Sequence, residues 1–515
     1  MSEMPTGAEV LLHTLIANGI NTCFMNPGTS EMHFVAALDR VPAMRGILCL
    51  FEGVCSGAAD GYARATGTPA ATLLHLGPGL ANGLANFHNA RKARVPVVSV
   101  VGEHSTSHFK YDAPLSANIE NFARTVSDRV RIAKNGHELG ADMSATIADA
   151  IQPPGQVAML IVPADLSWSP SEGCGAVIAP QRRRMPSSAA ITRAAELVRK
   201  PGTALLLGGS ALAPQALDAA ARLAAATGVR VHIARNVAKI WSGRGRFQPM
   251  QVPYFPEPAL ALFADIQNLI LVEAKMPVSF FGYPNTPGSL APDACQISML
   301  AGVEEDGAGA LAALAETCAP VSPPAFSIPS PIEQGPLTLD AIGSAVAVYL
   351  PEDALISEEM LSSSARVLAY LVNAAPHEWM PVTGGAIGQG LPVAVGAAVA
   401  FPNRKVIALE ADGSGMYTLQ ALWTMAREKL DVVTVIFANR RYAILDIEMQ
   451  RTGAGGFGPA AGKLIDIGNP DLDFVSLAAG MGVAASRASS AAEFAGQFRA
   501  AVRERGPCLI EAVID

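Results

Sequence analysis

The sequence predicts an α/β protein of three domains, each built around a parallel sheet, and three observations carry that reading. Short apolar runs alternate with segments apolar at helical spacing, the pattern of strand, loop and crossover helix. The apolar runs end repeatedly in glycine-containing loops with Asp, Asn, Glu or His beside them, which puts functional side chains along one sheet edge. Two stretches dense in Pro, Ser and Gly, 167–188 and 319–336, break the pattern as linkers. The expected domains are 1–168, 187–320 and 337–515.

In the first domain a helix is expected over 6–20, a strand over 21–25 and a turn over Asn26-Pro27-Gly28-Thr29-Ser30-Glu31. A strand from Gly46 to Phe51 ends at Glu52, which opens a helix reaching 67. The strand Ala70 to Leu76 contains His75 near its end, and after Gly77-Pro78-Gly79 a helix covers 80–93. The strand Val95 to Val101 runs into Gly102-Glu103-His104, and the domain closes near 166. In the second domain PGTALLLGGSAL, GVRVHIA and NLILVEA read as strands. In the third, Lys405 to Glu410 is a strand, Ala411-Asp412-Gly413-Ser414-Gly415 a loop, and Met416 to Leu430 a helix. Val432 to Phe437 is the next strand, ending at Ala438-Asn439, and PCLIEAVI is the last.

Half of the 515 residues are hydrophobic and 16% are charged, ample for large cores. No apolar run is long enough to span a bilayer and no signal sequence opens the chain, so a cytoplasmic location is expected. A net charge of −8 without basic clusters argues against nucleic acid as a partner. The seven cysteines form no CxxC pair and no even framework, which fits reduced thiols without a catalytic role.

The residue types in the third domain suggest what it binds. Asp412 and, 27 positions later, Asn439 offer a carboxylate and an amide oxygen at adjacent strand ends. With a loop carbonyl these suit Mg²⁺, which takes few protein ligands and completes its shell from phosphate and water. Gly413 and Ser414 present backbone N–H groups at a helix start, where phosphate is favoured.

This stretch resembles the Gly-Asp-Gly … Asn-Asn motif of thiamine diphosphate enzymes, with Ala411 and Ala438 replacing the first glycine and first asparagine. Phe51-Glu52-Gly53 followed by Ala59-Asp60-Gly61-Tyr62-Ala63-Arg64 is similar to the family's cofactor-activating glutamate and its helix. The whole chain thus looks like the 2-oxo-acid decarboxylase and acetolactate synthase group, with pyrimidine-binding, central and diphosphate-binding domains. The resemblance implies that Glu52 activates the aminopyrimidine at N1′. In Gly384-Gly385-Ala386-Ile387-Gly388 it assigns the Gly385 carbonyl to N4′ and the Ile387 side chain to the cofactor's bend. It implies Mg²⁺ on Asp412, Asn439 and the carbonyl of Arg441, with Gly413, Ser414 and Tyr442 also at the cofactor. It further implies a homodimer at minimum, with each site shared between two chains, and a homotetramer beyond that.

Two reactions of the group fit: non-oxidative decarboxylation of a 2-oxo acid through an enamine, with or without carboligation, and acetolactate synthesis. Asn26–Glu31, His75 and ADGSGMYTLQALWT look like benzoylformate decarboxylase. In that reading His75 moves protons and Thr29 holds the substrate carboxylate, as a hydroxyl and an imidazole can. The synthases' glutamine aligns with Leu115 and their lysine falls near Ala164, while Gly243-Arg244-Gly245 is a weak flavin signal, so FAD is not expected. A second histidine expected from the middle domain has only Tyr283 nearby, in Phe280-Phe281-Gly282-Tyr283. The acyl pocket is expected from Thr29, His75, Leu115, Ile444 and Leu445, with Ile444 at a position the benzoylformate-type enzymes keep small.

Overall fold

The computed structural model of the chain describes residues 4–514. Three sheets form, as the alternation of apolar runs and helices predicts. The N-terminal sheet has the spatial order Arg45–Leu48, Thr22–Asn26, Ala71–Leu74, Val97–Glu103, Val157–Pro163, Arg129–Ile132, and every pairing is parallel. The central sheet runs Met250–Gln251, Arg230–Ile233, Thr203–Leu207, Asn268–Val272, Gln296–Ala301, again all parallel. The C-terminal sheet runs Ala484–Ala488, Cys508–Val513, Val432–Ala438, Val406–Ala411, Ala354–Glu359, His377–Pro381. A seventh strand, Ile240–Ser242, joins its edge antiparallel from the middle of the chain.

Apart from that seventh strand, in each sheet the chain starts inside the sheet and later crosses to the other side of its first strand. Ligands of open α/β sheets sit outside the carboxyl ends of the strands at such a reversal. In the N-terminal sheet the reversal lies between Thr22–Asn26 and Ala71–Leu74, so the loop after Asn26 and His75 flank it. In the C-terminal sheet it lies between Ala354–Glu359 and Val406–Ala411, and Asp412 follows directly. The central sheet reverses between Thr203–Leu207 and Asn268–Val272.

The outer sheets are joined through two helices, Glu52–Thr66 and Gly390–Ala400, which pack almost backbone to backbone. A Cβ at Gly61 would stand 2.2 Å from the carbonyl oxygen of Val393, and one at Gly396 would stand 1.9 Å from that of Ala58. Only glycine permits that approach. Leu74, Leu80 and Phe87 therefore share a core with Leu391, Val393 and Val395. At 25 cal/mol per Å² of apolar surface, each large side chain buried there contributes about 1.5–3 kcal/mol.

Three elements differ from the sequence expectation. The loop expected over Ala411–Gly415 is a single helical turn, Asp412–Gly415, and the helix expected from Met416 to Leu430 is only Ala421–Arg427, with a turn before it. In that turn the Thr418 hydroxyl leaves the helical path to donate to the Gly388 carbonyl at 3.1 Å. The helix expected over 80–93 begins at Leu76 and spans Leu76–Ala93, because proline is tolerated in a helix's first turn. Leu76 itself has φ +53°, a strained value for a branched residue, immediately after His75.

Candidate active site

The first cluster surrounds Glu31, which the sequence reading placed only at the end of a turn. Its side chain is 2% exposed, and its Oε2 accepts the Gly28 N–H at 2.8 Å. The same oxygen lies 2.8 Å from Nδ1 of His75. An ionised carboxylate only accepts, so Nδ1 carries the proton and Nε2 is the free nitrogen. Burial pushes the Glu31 carboxyl up, against the lowering effect of the Gly28 N–H and the imidazole. A Cβ at Gly28 would stand 2.4 Å from the His75 ring, so the loop can close on the histidine only with glycine there. Thr29 is exposed on the same short turn, Thr29–Glu31. Leu115 is 39% exposed on a loop whose Ala117 packs against Gly77, two residues past His75.

Glu52 begins its helix, is 8% exposed, and accepts from Asn82 Nδ2 at 3.0 Å through Oε2. Its Oε1 takes no hydrogen bond among the described residues. Nor does Glu52 bond to the 384–388 loop or to Asp412 of its own chain.

The loop expected to hold the cofactor's pyrimidine end is gripped by the helix Leu76–Ala93. His88 Nε2 lies 3.1 Å from the Gly384 carbonyl, Asn89 Nδ2 donates to the Ala386 carbonyl at 2.7 Å, and Asn86 Nδ2 donates to that of Gly388 at 3.1 Å. Between these the Gly385 carbonyl accepts nothing among the described residues, and Gly385 is exposed with φ +77°. From below, Glu359 accepts the N–H groups of Gly388 at 2.9 Å and Gly390 at 2.6 Å. Burial, against those two N–H groups, pushes Glu359 up to about 7. Glu410 pairs with Glu359 in the ladder, and burial beside that carboxyl pushes it well up.

A further anchor is a wholly buried pair, Arg64 with Asp60, at 2.6 Å. The guanidinium also donates to the Pro381 carbonyl and the Thr383 hydroxyl, both at 2.8 Å. Such a pair costs desolvation and is held by the extra hydrogen bonds it makes. The sequence signal for the grip on the 384–388 loop was a stripe of Asn82, Asn86 and Asn89 at helical spacing in a helix whose Leu80 and Phe87 face the core.

At the C-terminal sheet Asp412 is 3% exposed, and its Oδ2 accepts the Arg440 N–H at 2.6 Å, joining the two motif loops. Burial pushes its carboxyl up, against several backbone N–H groups. Asn439 is half-buried and its Oδ1 accepts from the Arg441 N–H at 3.0 Å. The Ser414 hydroxyl is buried without a partner among the described residues, and Tyr442 packs its ring on Gly413. A buried carboxylate with no cation beside it and an orphaned hydroxyl at a helix start fit a divalent cation carrying phosphate. Ile444 is half-buried and Leu445 43% exposed in the first turn of the helix Ala443–Arg451 that follows.

The reversal point of the central sheet is filled by the protein's own carboxylate. Glu273 takes the N–H groups of Ser210 at 3.0 Å and Gly307 at 2.9 Å, and Arg183 at 2.8 Å. Backbone N–H groups and a guanidinium at such a point are donors of the kind a phosphate would use, and here Glu273 takes them.

Comparison with known proteins matches this layout. Residues 5–126 fit the model of the thiamine pyrophosphate enzyme N-terminal TPP binding domain, and 362–512 fit that of the C-terminal TPP binding domain. The chain belongs to the thiamine pyrophosphate enzyme family. It is 48% identical over 513 residues to IlvX of Mycobacterium tuberculosis, provisionally named an acetolactate synthase large subunit, covering 99% of each chain. It is 28% identical to a benzoylformate decarboxylase of Pseudomonas aeruginosa, over 99% of this chain and 98% of that one. Among solved structures, a thiamine diphosphate-dependent 4-hydroxybenzoylformate decarboxylase of Rhodococcus jostii superposes with a TM-score of 0.85 at 25% identity, over 99% of this chain and 100% of that one. The family's TPP-binding domains make thiamine diphosphate the cofactor. No described helix is long and apolar enough to cross a membrane.

Proposed function

We propose that the protein removes CO₂ from a 2-oxo acid without oxidation, using thiamine diphosphate and Mg²⁺, and that His75 delivers the proton that completes the product. The observation that carries this reading is the Glu31–His75 pair: the carboxylate fixes the ring and leaves Nε2 to exchange a proton. When bound, the cofactor supplies the electron sink for carboxylate loss. Asp412, Asn439 and the Arg441 carbonyl would hold Mg²⁺, and Ser414 with the Gly413 N–H would face the diphosphate. The free Gly385 carbonyl would accept from N4′, with Ile387 behind it, and Glu52 would hold N1′. Thr29 would hold the substrate carboxylate. Because Glu52 makes no bond to its own chain's cofactor loops, each site takes Glu52, Thr29 and His75 from one subunit and the metal loop from the other. That arrangement closes two sites at once across a two-fold axis, in a homodimer that can pair further into a homotetramer.

A second reading, transfer of the two-carbon unit of pyruvate to another 2-oxo acid, is favoured by the name of the 48% identical relative. CO₂ release from pyruvate, longer aliphatic 2-oxo acids and benzoylformate, with product analysis, separates the two. Aldehyde as the main product supports the decarboxylase; acetolactate or its homologues as the main product overturns it.

A further inference from the structure

The helix Ala443–Arg451 leaves the metal loop directly, and Ile444, Glu448 and Arg451 stand on one of its faces at four- and three-residue spacing. Arg451 is engaged elsewhere: its Nη1 bonds Glu257, and its guanidinium lies 4.1 Å over the Phe255 ring. Glu448 is held differently. Its Oε1 accepts the hydroxyl of Tyr283 at 3.1 Å and that of Tyr254 at 3.4 Å. Its Oε2 has no hydrogen-bond partner among the described residues. Burial first, and Glu448 with it, pushes Tyr254 up to about 12 and Tyr283 higher still, so both phenols remain donors at neutral pH.

These tyrosines belong to an aromatic layer that reaches the cofactor loop. The Tyr254 ring lies 5.0 Å from that of Phe280, and the tip of Phe280 would stand 2.7 Å from a Cβ on Gly385. Phe281 continues the layer from Phe280 at 5.0 Å to Tyr283 at 6.5 Å. A carboxylate oxygen left free beside such a layer gains strongly from a donor, and a hydrogen bond to a charged group is worth more than a neutral one. From Ile444 to Glu448 the helix rises about 6 Å, within the reach of an unbranched acyl side chain.

We infer that Glu448 reads the far end of the substrate: the 2-oxo acid carries a hydrogen-bond donor, a hydroxyl or a cationic nitrogen, at the end of an unbranched side chain. Tyr254 and Tyr283 hold Oε1, and Oε2 accepts from the substrate. This rests on the 2-oxo acid chemistry proposed above.

The test compares 5-hydroxy-2-oxopentanoate with 2-oxohexanoate, which replaces the hydroxyl by a methyl, and adds 5-guanidino-2-oxopentanoate as the cationic arm. Two readouts are used: kcat/KM for CO₂ release by the holoenzyme, and calorimetric affinity in protein loaded with thiamine thiazolone diphosphate, which cannot turn over. The wild type should favour at least one donor-ended acid over 2-oxohexanoate by roughly tenfold or more. Glu448→Gln keeps an acceptor for the tyrosines and should erase most of that preference while leaving 2-oxohexanoate within about threefold. Equal losses on all three acids would make Glu448 a strap between helix and central sheet and overturn the inference, as would a wild-type preference for 2-oxohexanoate. CO₂ release without the donor preference sinks this inference alone. A donor preference in binding without CO₂ release sinks the decarboxylase reading alone.

Discussion

Nδ1 of His75 lies 2.8 Å from Oε2 of Glu31, a carboxylate only 2% exposed that also accepts the Gly28 N–H. The two residues are 44 positions apart and meet because their strands are neighbours where the sheet reverses. If the pair acts as one unit, Glu31→Gln should lower kcat by roughly ten- to a hundredfold and His75→Ala by about a hundredfold or more. The double variant should cost no more than His75→Ala alone, since coupled residues are not additive. Additive losses in steady-state kinetics would separate the two. Carboligated by-products should rise in His75→Ala, because slower protonation leaves time for a second carbonyl to react.

Glu52→Gln should abolish turnover while sparing cofactor affinity, because Glu52 makes no hydrogen bond to the 412 or 439 loops and its Oε1 takes none at all among the described residues. Exchange of the C2 proton in the bound cofactor, followed by NMR, should slow by at least about a hundredfold. Near-normal exchange would remove Glu52 from the activating role.

Asp412→Ala should weaken Mg²⁺-dependent binding of thiamine diphosphate by at least roughly tenfold, since a hard cation here has a single protein carboxylate. Asp412 also ties the two motif loops through the Arg440 N–H, so the variant loses loop geometry and charge together. Asp412→Asn, which keeps an acceptor for that N–H, should lose affinity as well. Unchanged affinity in Asp412→Asn would place the metal elsewhere.

Stability should fall on the acid side partly through His377. Burial lowers this imidazole from 6.5 to about 4, against the Ala375 carbonyl that raises it, and its Nε2 is buried without a partner. The unfolded chain takes its proton near 6.5 and the folded chain only near 4, so this contribution is present above 6.5 and is lost as pH falls toward 4. Between pH 7 and 5 the loss is roughly 2 kcal/mol. Denaturant titrations of wild type and His377→Gln at both pH values should show a smaller difference in the variant. Equal differences would exclude His377 as a source.

Much of the fold could be read in the sequence because it rests on local grammar, and the same grammar places the candidate site residues. Asp412, Asn439, Glu52 and His75 each stand at or just past the end of an apolar run, and strand ends line one edge in a parallel sheet. What could not be read depends on contacts between distant segments. Asn86 and Asn89 look like polar positions on an ordinary helix until the chain brings a loop 297 positions away onto Asn89. Glu31 looks like a turn residue until His75 closes over it. Glu448 looks like a solvent-facing charge until the loops carrying Tyr254 and Tyr283 bring two hydroxyls onto it. The helix expected over Met416 to Leu430 starts only at Ala421, after a turn in which the Thr418 hydroxyl donates to the distant Gly388 carbonyl.

In the proposed reaction Ile444 would set the width of the acyl pocket. It lies in the first turn of the helix Ala443–Arg451, directly after Tyr442, whose ring packs on Gly413. A branched side chain at that point narrows the path for a flat aryl ring, while an extended chain can pass it toward Glu448 one turn further on. Overfilling a packed site costs about 1–3 kcal/mol, or roughly ten- to a hundredfold in a specificity ratio. Aliphatic 2-oxo acids should therefore be preferred to benzoylformate by the unmodified protein. Ile444→Ala should raise kcat/KM for benzoylformate relative to pyruvate by about tenfold or more, with little change in melting temperature because the residue is only half-buried. Two results would sink this: better turnover of benzoylformate than of every aliphatic acid by the wild type, or a ratio left unmoved by the substitution.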